Sequence, residues 1–109
     1  MKVYEFTNNT GSSVIVLHIE FNCKVDVQTI DGKSPSDPIP PYDLSGNHSE
    51  KIDIDFTRIG GKQSDAKVVL KIIANSLEMP KIKEAVWTLP KGGGVREIDK
   101  RWLKEKGYS

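Results

Sequence analysis

A chain of 109 residues, 37% hydrophobic and 28% charged, suits one domain and leaves no room for two ordinary ones. At this size folding buries roughly 65% of the surface that the unfolded chain exposes, so no disulfide or metal staple is required. The single cysteine, Cys23, closes no bridge within the chain and lacks the partners of a zinc site, and a formal net charge of +1 argues against wholesale polyanion binding.

Strand signals dominate the first two thirds. Lys2 to Thr7 sets Lys2, Tyr4 and Phe6 against Val3, Glu5 and Thr7, and Asn8-Asn9-Thr10-Gly11 then has the chemistry of a tight reversal, which predicts a hairpin. Ser13 to Phe21 places Ile15, Leu17, Ile19 and Phe21 on a core face, with Val14, Val16, His18 and Glu20 on the other. A separate strand is expected over Lys24 to Ile30, with Val25 and Val27 inward, ending at the turn dipeptide Asp31-Gly32.

Residues 33–49 carry four prolines, Gly46 and no periodic apolar face, which predicts a loop of unusual length, and such loops are often functional. Alternation returns over Glu50 to Thr57, with Ile52, Ile54 and Phe56 in and Lys51, Asp53 and Asp55 out. Ala66 to Ala74 is more continuously apolar and is the expected central strand, covered on both faces. Ile82 to Leu89 is the last strand expected. Lys91 to Gly94 reads as a Gly-rich linker, and the period then changes to 3.6 for a helix over 95–106. Gly94 is its expected N-cap, Gly107 its stop, and Val95, Ile98, Trp102 and Leu103 its apolar stripe.

The fold class is therefore mainly β: a single antiparallel β-sandwich-like domain over 1–109, of about six or seven strands within 2–89, with one C-terminal α-helix. No apolar stretch approaches the ~20 residues of a membrane helix. The start carries an acid and no long apolar run, so a cytoplasmic chain is expected, consistent with an unpaired cysteine.

Charge is uneven: Met1 to Asp65 holds 6 basic and 10 acidic residues, Ala66 to Ser109 holds 10 and 5. In the basic half Lys91, Arg96, Lys100, Arg101 and Lys104 lie near Trp102 and Tyr108, the interleaving of charge and rings that single-stranded nucleic acid requires. Set against this, Trp102 falls on the apolar stripe and Glu97, Asp99 and Glu105 weaken the field.

His18 and Glu20, with Asp53 and Asp55, would approach one another if their strands paired, but outward acids arise on any alternating strand. No serine has a nucleophile-elbow setting, and Cys23 reads as a packing residue. No cofactor is expected, nor any metal ligand or catalytic residue. Elimination leaves a non-catalytic binding protein whose partner is another protein, the class that includes inhibitors and immunity-type proteins. Its contact residues are expected in the long loop at Pro40, Pro41, Tyr42 and Leu44, although these can instead form a lid over the core. The alternative is a nucleic-acid-binding module using the basic helix, and a metal-dependent enzyme stands third.

Overall fold

A computed structural model describes every residue except Asn75, Ser76 and Glu78. Seven strands follow in chain order: β1 (Lys2–Thr7), β2 (Val16–Ile30), β3 (Asp43–Ser45), β4 (Ser49–Asp55), β5 (Lys67–Ala74), β6 (Ile82–Thr88) and β7 (Val95–Glu97). A 3-10 turn occupies Thr57–Ile59, and one short helix, α1, spans Lys100–Glu105. No helix is long and apolar enough to cross a membrane among the described residues.

The axis of the fold is β2. Its first half pairs on one edge with β4 and on the other with β6, placing Leu17 opposite both Ile54 and Trp87. Further along, Val25 has Ser49 on one side and Ala74 on the other, so β5 succeeds β6 along the same edge. The hand-over coincides with register shifts between Glu20 and Val25 and between Val27 and Thr29, and such irregularities bend a strand. Two limbs result, β1-β5 on the second half of β2 and β7-β6 with β4-β3 on the first. The mainly-β expectation is met with seven strands, and they form one continuous antiparallel sheet because β2 carries both limbs.

Period-two alternation decides what is buried. Tyr4 and Phe6 of β1, Leu17, Ile19 and Phe21 of β2, Ile52 and Ile54 of β4, Leu70 and Ile72 of β5 and Trp87 of β6 all lie in one core. The rings of Tyr4 and Phe21, 5.7 Å apart, join the limbs, and each such phenylalanine stabilises the fold by about 1.5–3 kcal/mol. Tyr4 donates its hydroxyl proton to the Pro80 carbonyl at 3.2 Å. Burial, helped by Cys23 and Tyr108, pushes that hydroxyl well above the usual phenol range, so Tyr4 stays neutral.

Several local expectations are corrected. The two strands expected between Ser13 and Ile30 are one strand of fifteen residues, because Phe21, Cys23 and Val25 continue the inward alternation through Asn22 and Lys24. Asn8 to Gly11 closes no hairpin, since β1 pairs with β5 instead. Asn8 is buried, and its Nδ2 donates to the carbonyls of Ser12 at 2.8 Å, Lys62 at 3.2 Å and Gln63 at 3.0 Å, while Oδ1 accepts from Thr10. The central strand is β2 rather than β5, whose alternate residues Lys67, Lys71 and Ile73 stay exposed. Residues 91–94 form no linker but the turn between β6 and β7, closed by the Leu89 amide on the Gly94 carbonyl at 2.9 Å. The helix does not span 95–106: Val95 to Glu97 add an edge strand to β6, and Asp99, not Gly94, caps α1. Val95 accordingly drops out of the apolar stripe and is 59% exposed.

Candidate binding cleft

α1 has only six residues and is held at both ends by backbone bonds to the sheet. Asp99 accepts the Arg101 amide through Oδ1 at 2.8 Å, as an N-cap, and the Ile98 amide just before it donates to the Ala85 carbonyl at 2.8 Å. At the other end Gly107 takes a φ of 75°, which lets the chain turn back so that the Tyr108 amide donates to Leu103 at 2.8 Å. The Tyr108 carbonyl then accepts the Ile82 amide at 2.7 Å. Leu103 is fully buried, and Trp102 and Tyr108 are half-buried against the core.

Tyr108 packs edge-on against Tyr4 at 4.9 Å and Trp102 at 5.7 Å, and Phe6 lies 6.2 Å from Trp102. Its hydroxyl reaches the open edge of β1 and accepts the Glu5 amide at 2.9 Å. Between that edge and α1 lies a cleft of about 500 Å³, within the size range of ligand sites. Phe6, Trp102 and Tyr108 line it, together with Glu5, Glu97, Asp99 and Lys106. The Lys106 ammonium stands 5.7 Å from the centre of the Trp102 ring. Glu5 pairs with Lys67 at 3.1 Å and Glu97 with Lys100 at 3.7 Å, both at exposed positions.

The loop residues singled out in the sequence lie elsewhere. Tyr42 is 1% exposed, belongs to the core and donates its hydroxyl proton to the Lys33 carbonyl at 2.7 Å. Its ring is therefore not exposed as a contact surface in the folded chain. Pro40, Pro41 and Leu44 are half-buried, the Pro40 carbonyl accepts from Arg58 at 2.7 Å, and only Ile39, 84% exposed, projects as a large apolar group. The loop also contains β3, which brings Asp43 to an ion pair with Arg58.

Lys91, Arg96, Lys100, Arg101 and Lys104 are all exposed, distributed over the β6–β7 turn, β7 and α1. Trp102, the ring that a base would stack on, packs instead on Phe6 and Tyr108. β2 and β4 do pair, with His18 directly opposite Asp53 and its Nδ1 2.6 Å from Oδ1, but Glu20 faces Lys51. Among the described residues no three His, Cys, Asp or Glu side chains are grouped to hold a metal ion.

Sequence reasoning missed Glu5, Lys106 and Tyr108 as cleft residues. One signal was present: an aromatic immediately after a C′ glycine is the position that commonly packs back on the helix it follows. The role of Glu5 depends on which strand edge stays open, which no local pattern encodes. No family model, no curated protein and no solved structure matches this chain.

Proposed function

We propose that this chain is a small non-catalytic binding protein that engages a partner protein in the cleft between β1 and α1, acting in the cytoplasm. The observation that carries this reading is the coincidence of an open strand edge with half-buried aromatic rings around a cleft of about 500 Å³. Aromatic side chains supply much of the contact energy of protein interfaces, and a strand edge offers main-chain donors and acceptors beside them. The face is held rigidly by the backbone bonds of Ile98 and Tyr108, so little ordering opposes binding.

The test is affinity capture from the native cell with the wild-type chain and with two surface variants. Asn9→Trp fills the cleft from its exposed lip, and Ile39→Asp alters the apolar tip of the long loop. The reading expects one protein to be captured by the wild type and by Ile39→Asp and lost with Asn9→Trp, at unchanged unfolding midpoints. Loss with Ile39→Asp alone returns the interface to the loop.

The second reading, nucleic-acid binding through Lys91, Arg96, Lys100, Arg101 and Lys104, is favoured by the exposure of all five side chains. It expects retention on heparin with a steep salt dependence, lost in Lys100→Gln/Arg101→Gln/Lys104→Gln.

A further inference from the structure

The cleft has a chemical preference. Among its lining residues Glu5, Glu97 and Asp99 are acidic, Lys106 alone is basic, and Phe6, Trp102 and Tyr108 are aromatic. Carboxylates lining the same cleft as aromatic rings favour a cation on an apolar stem over a neutral or anionic group, because ring quadrupole and carboxylate charge both attract it. These carboxylates are not locked. The Glu5–Lys67 and Glu97–Lys100 pairs are exposed, where ion pairs contribute little and exchange readily, and Asp99 is engaged through Oδ1 alone in its cap. The Trp102 ring already takes a cation from within the chain, the Lys106 ammonium at 5.7 Å.

We infer that the feature recognised in this cleft is the ammonium or guanidinium head of a basic side chain of the partner protein, with Lys106 as the internal occupant that it displaces. This rests on the cleft being the partner's binding site. Lys106 and the incoming cation compete for one ring face, so removing Lys106 strengthens binding, the opposite of what a contact residue would show. The acids act in the other direction, and removing them weakens it.

The experiment is a ¹H–¹⁵N titration of the intact chain with Nα-acetyl-lysine N-methylamide and with its neutral counterpart, Nα-acetyl-norleucine N-methylamide. The chain's two indoles differ in setting, Trp102 lining the cleft and Trp87 lying in the core, so Trp87 serves as the internal control. The lysine probe is expected to move the Trp102 indole and the Glu5 amide with saturation at millimolar concentration, leaving Trp87 still, while the norleucine probe does neither. Lys106→Met, at an exposed position, is expected to tighten the lysine probe about threefold and Glu5→Gln/Glu97→Gln to weaken it about as much, shifts of the size of an exposed cation–π or ion-pair contact. Equal response to both probes, no response, or an unchanged affinity in Lys106→Met overturns the cation assignment. If Asn9→Trp still abolishes partner capture in that case, the binding cleft stands and only its preference is wrong. If Asn9→Trp leaves capture intact, both fall.

Discussion

Tyr108 closes part of the sheet edge that Glu5 leaves open: its hydroxyl accepts the Glu5 amide proton at 2.9 Å across 103 residues of sequence. The penultimate side chain thereby ties the C-terminal helix to the first strand and forms one wall of the cleft. Tyr108→Phe keeps the ring contacts with Tyr4 and Trp102 and removes only the hydroxyl's bonds to the Glu5 backbone, this one and the longer one that it donates to the Glu5 carbonyl at 3.5 Å. We expect a loss of about 1 kcal/mol in urea unfolding, with faster hydrogen exchange at the Glu5 amide. No change in that exchange would show that the hydroxyl does not hold the edge.

Tyr42 separates a lid from a contact loop. Its ring is buried and its hydroxyl holds the Lys33 carbonyl, so Tyr42→Ala is expected to cost about 3–5 kcal/mol and Tyr42→Phe about 1 kcal/mol. Chemical denaturation of the two variants checks the order. An unchanged midpoint for Tyr42→Ala is incompatible with a lid.

The Asn8 side chain makes five hydrogen bonds: three, with Thr10 and Ser12, fold the segment after β1 on itself, and two, to the Lys62 and Gln63 carbonyls, join it to the turn before β5. Replacing it with Ala leaves the carbonyls of Ser12, Lys62 and Gln63 without this donor in a partly buried setting. A loss of about 2–3 kcal/mol is expected, against less than about 0.5 kcal/mol for exposed Asn9→Ala. Similar midpoints for the two variants would refute the difference.

Gly46 and Gly92 share a positive φ, 81° and 73°, but differ in surroundings. A Cβ on Gly46 would sit 2.0 Å from the Lys51 carbonyl oxygen, whereas one on Gly92 meets nothing within 4 Å. Gly92→Ala should therefore lose about 1 kcal/mol, the conformational penalty alone, and Gly46→Ala clearly more, since the β3–β4 turn must shift. Thermal unfolding of both decides it.

Tyr4 and Tyr42 give a pH dependence. Burial raises both hydroxyls in the folded chain, with Cys23 and Tyr108 adding to the effect at Tyr4 and Asp37 at Tyr42. A group that holds its proton more tightly when folded contributes stability that is fully present below its unfolded value, near pH 10, and is lost as pH rises above it. Stability is therefore expected to fall from about pH 10 upward. In an alkaline titration, phenolate absorbance from these two rings should appear together with the loss of circular dichroism. Ionisation of Tyr4 well before unfolding would contradict this.

Most strand segments between Lys2 and Thr88 are legible, β3 inside the long loop and the continuity of β2 excepted, because alternation of apolar and polar residues is a local signal: Ile52, Ile54 and Phe56 are inward by sequence and buried in the structure. The apolar contacts of the C-terminal segment were legible too, through Ile98, Trp102 and Leu103, although the 3.6-residue spacing overstated the helix. At Val95 to Glu97 three residues fit either period, and pairing with β6 decided for a strand because it satisfies backbone groups that an isolated turn of helix leaves open. The long loop showed its prolines but not that Tyr42 turns inward, since burial of a ring at a loop depends on the space beneath it. The cleft was beyond any local reading. It exists because β2 bends, β5 follows β6 along one edge, and β1 is thereby left open beside residues a hundred positions away. Side-chain alternation acts over two residues and is written in the chain, whereas strand order is a choice among long-range pairings of similar local energy, settled only when the whole core packs.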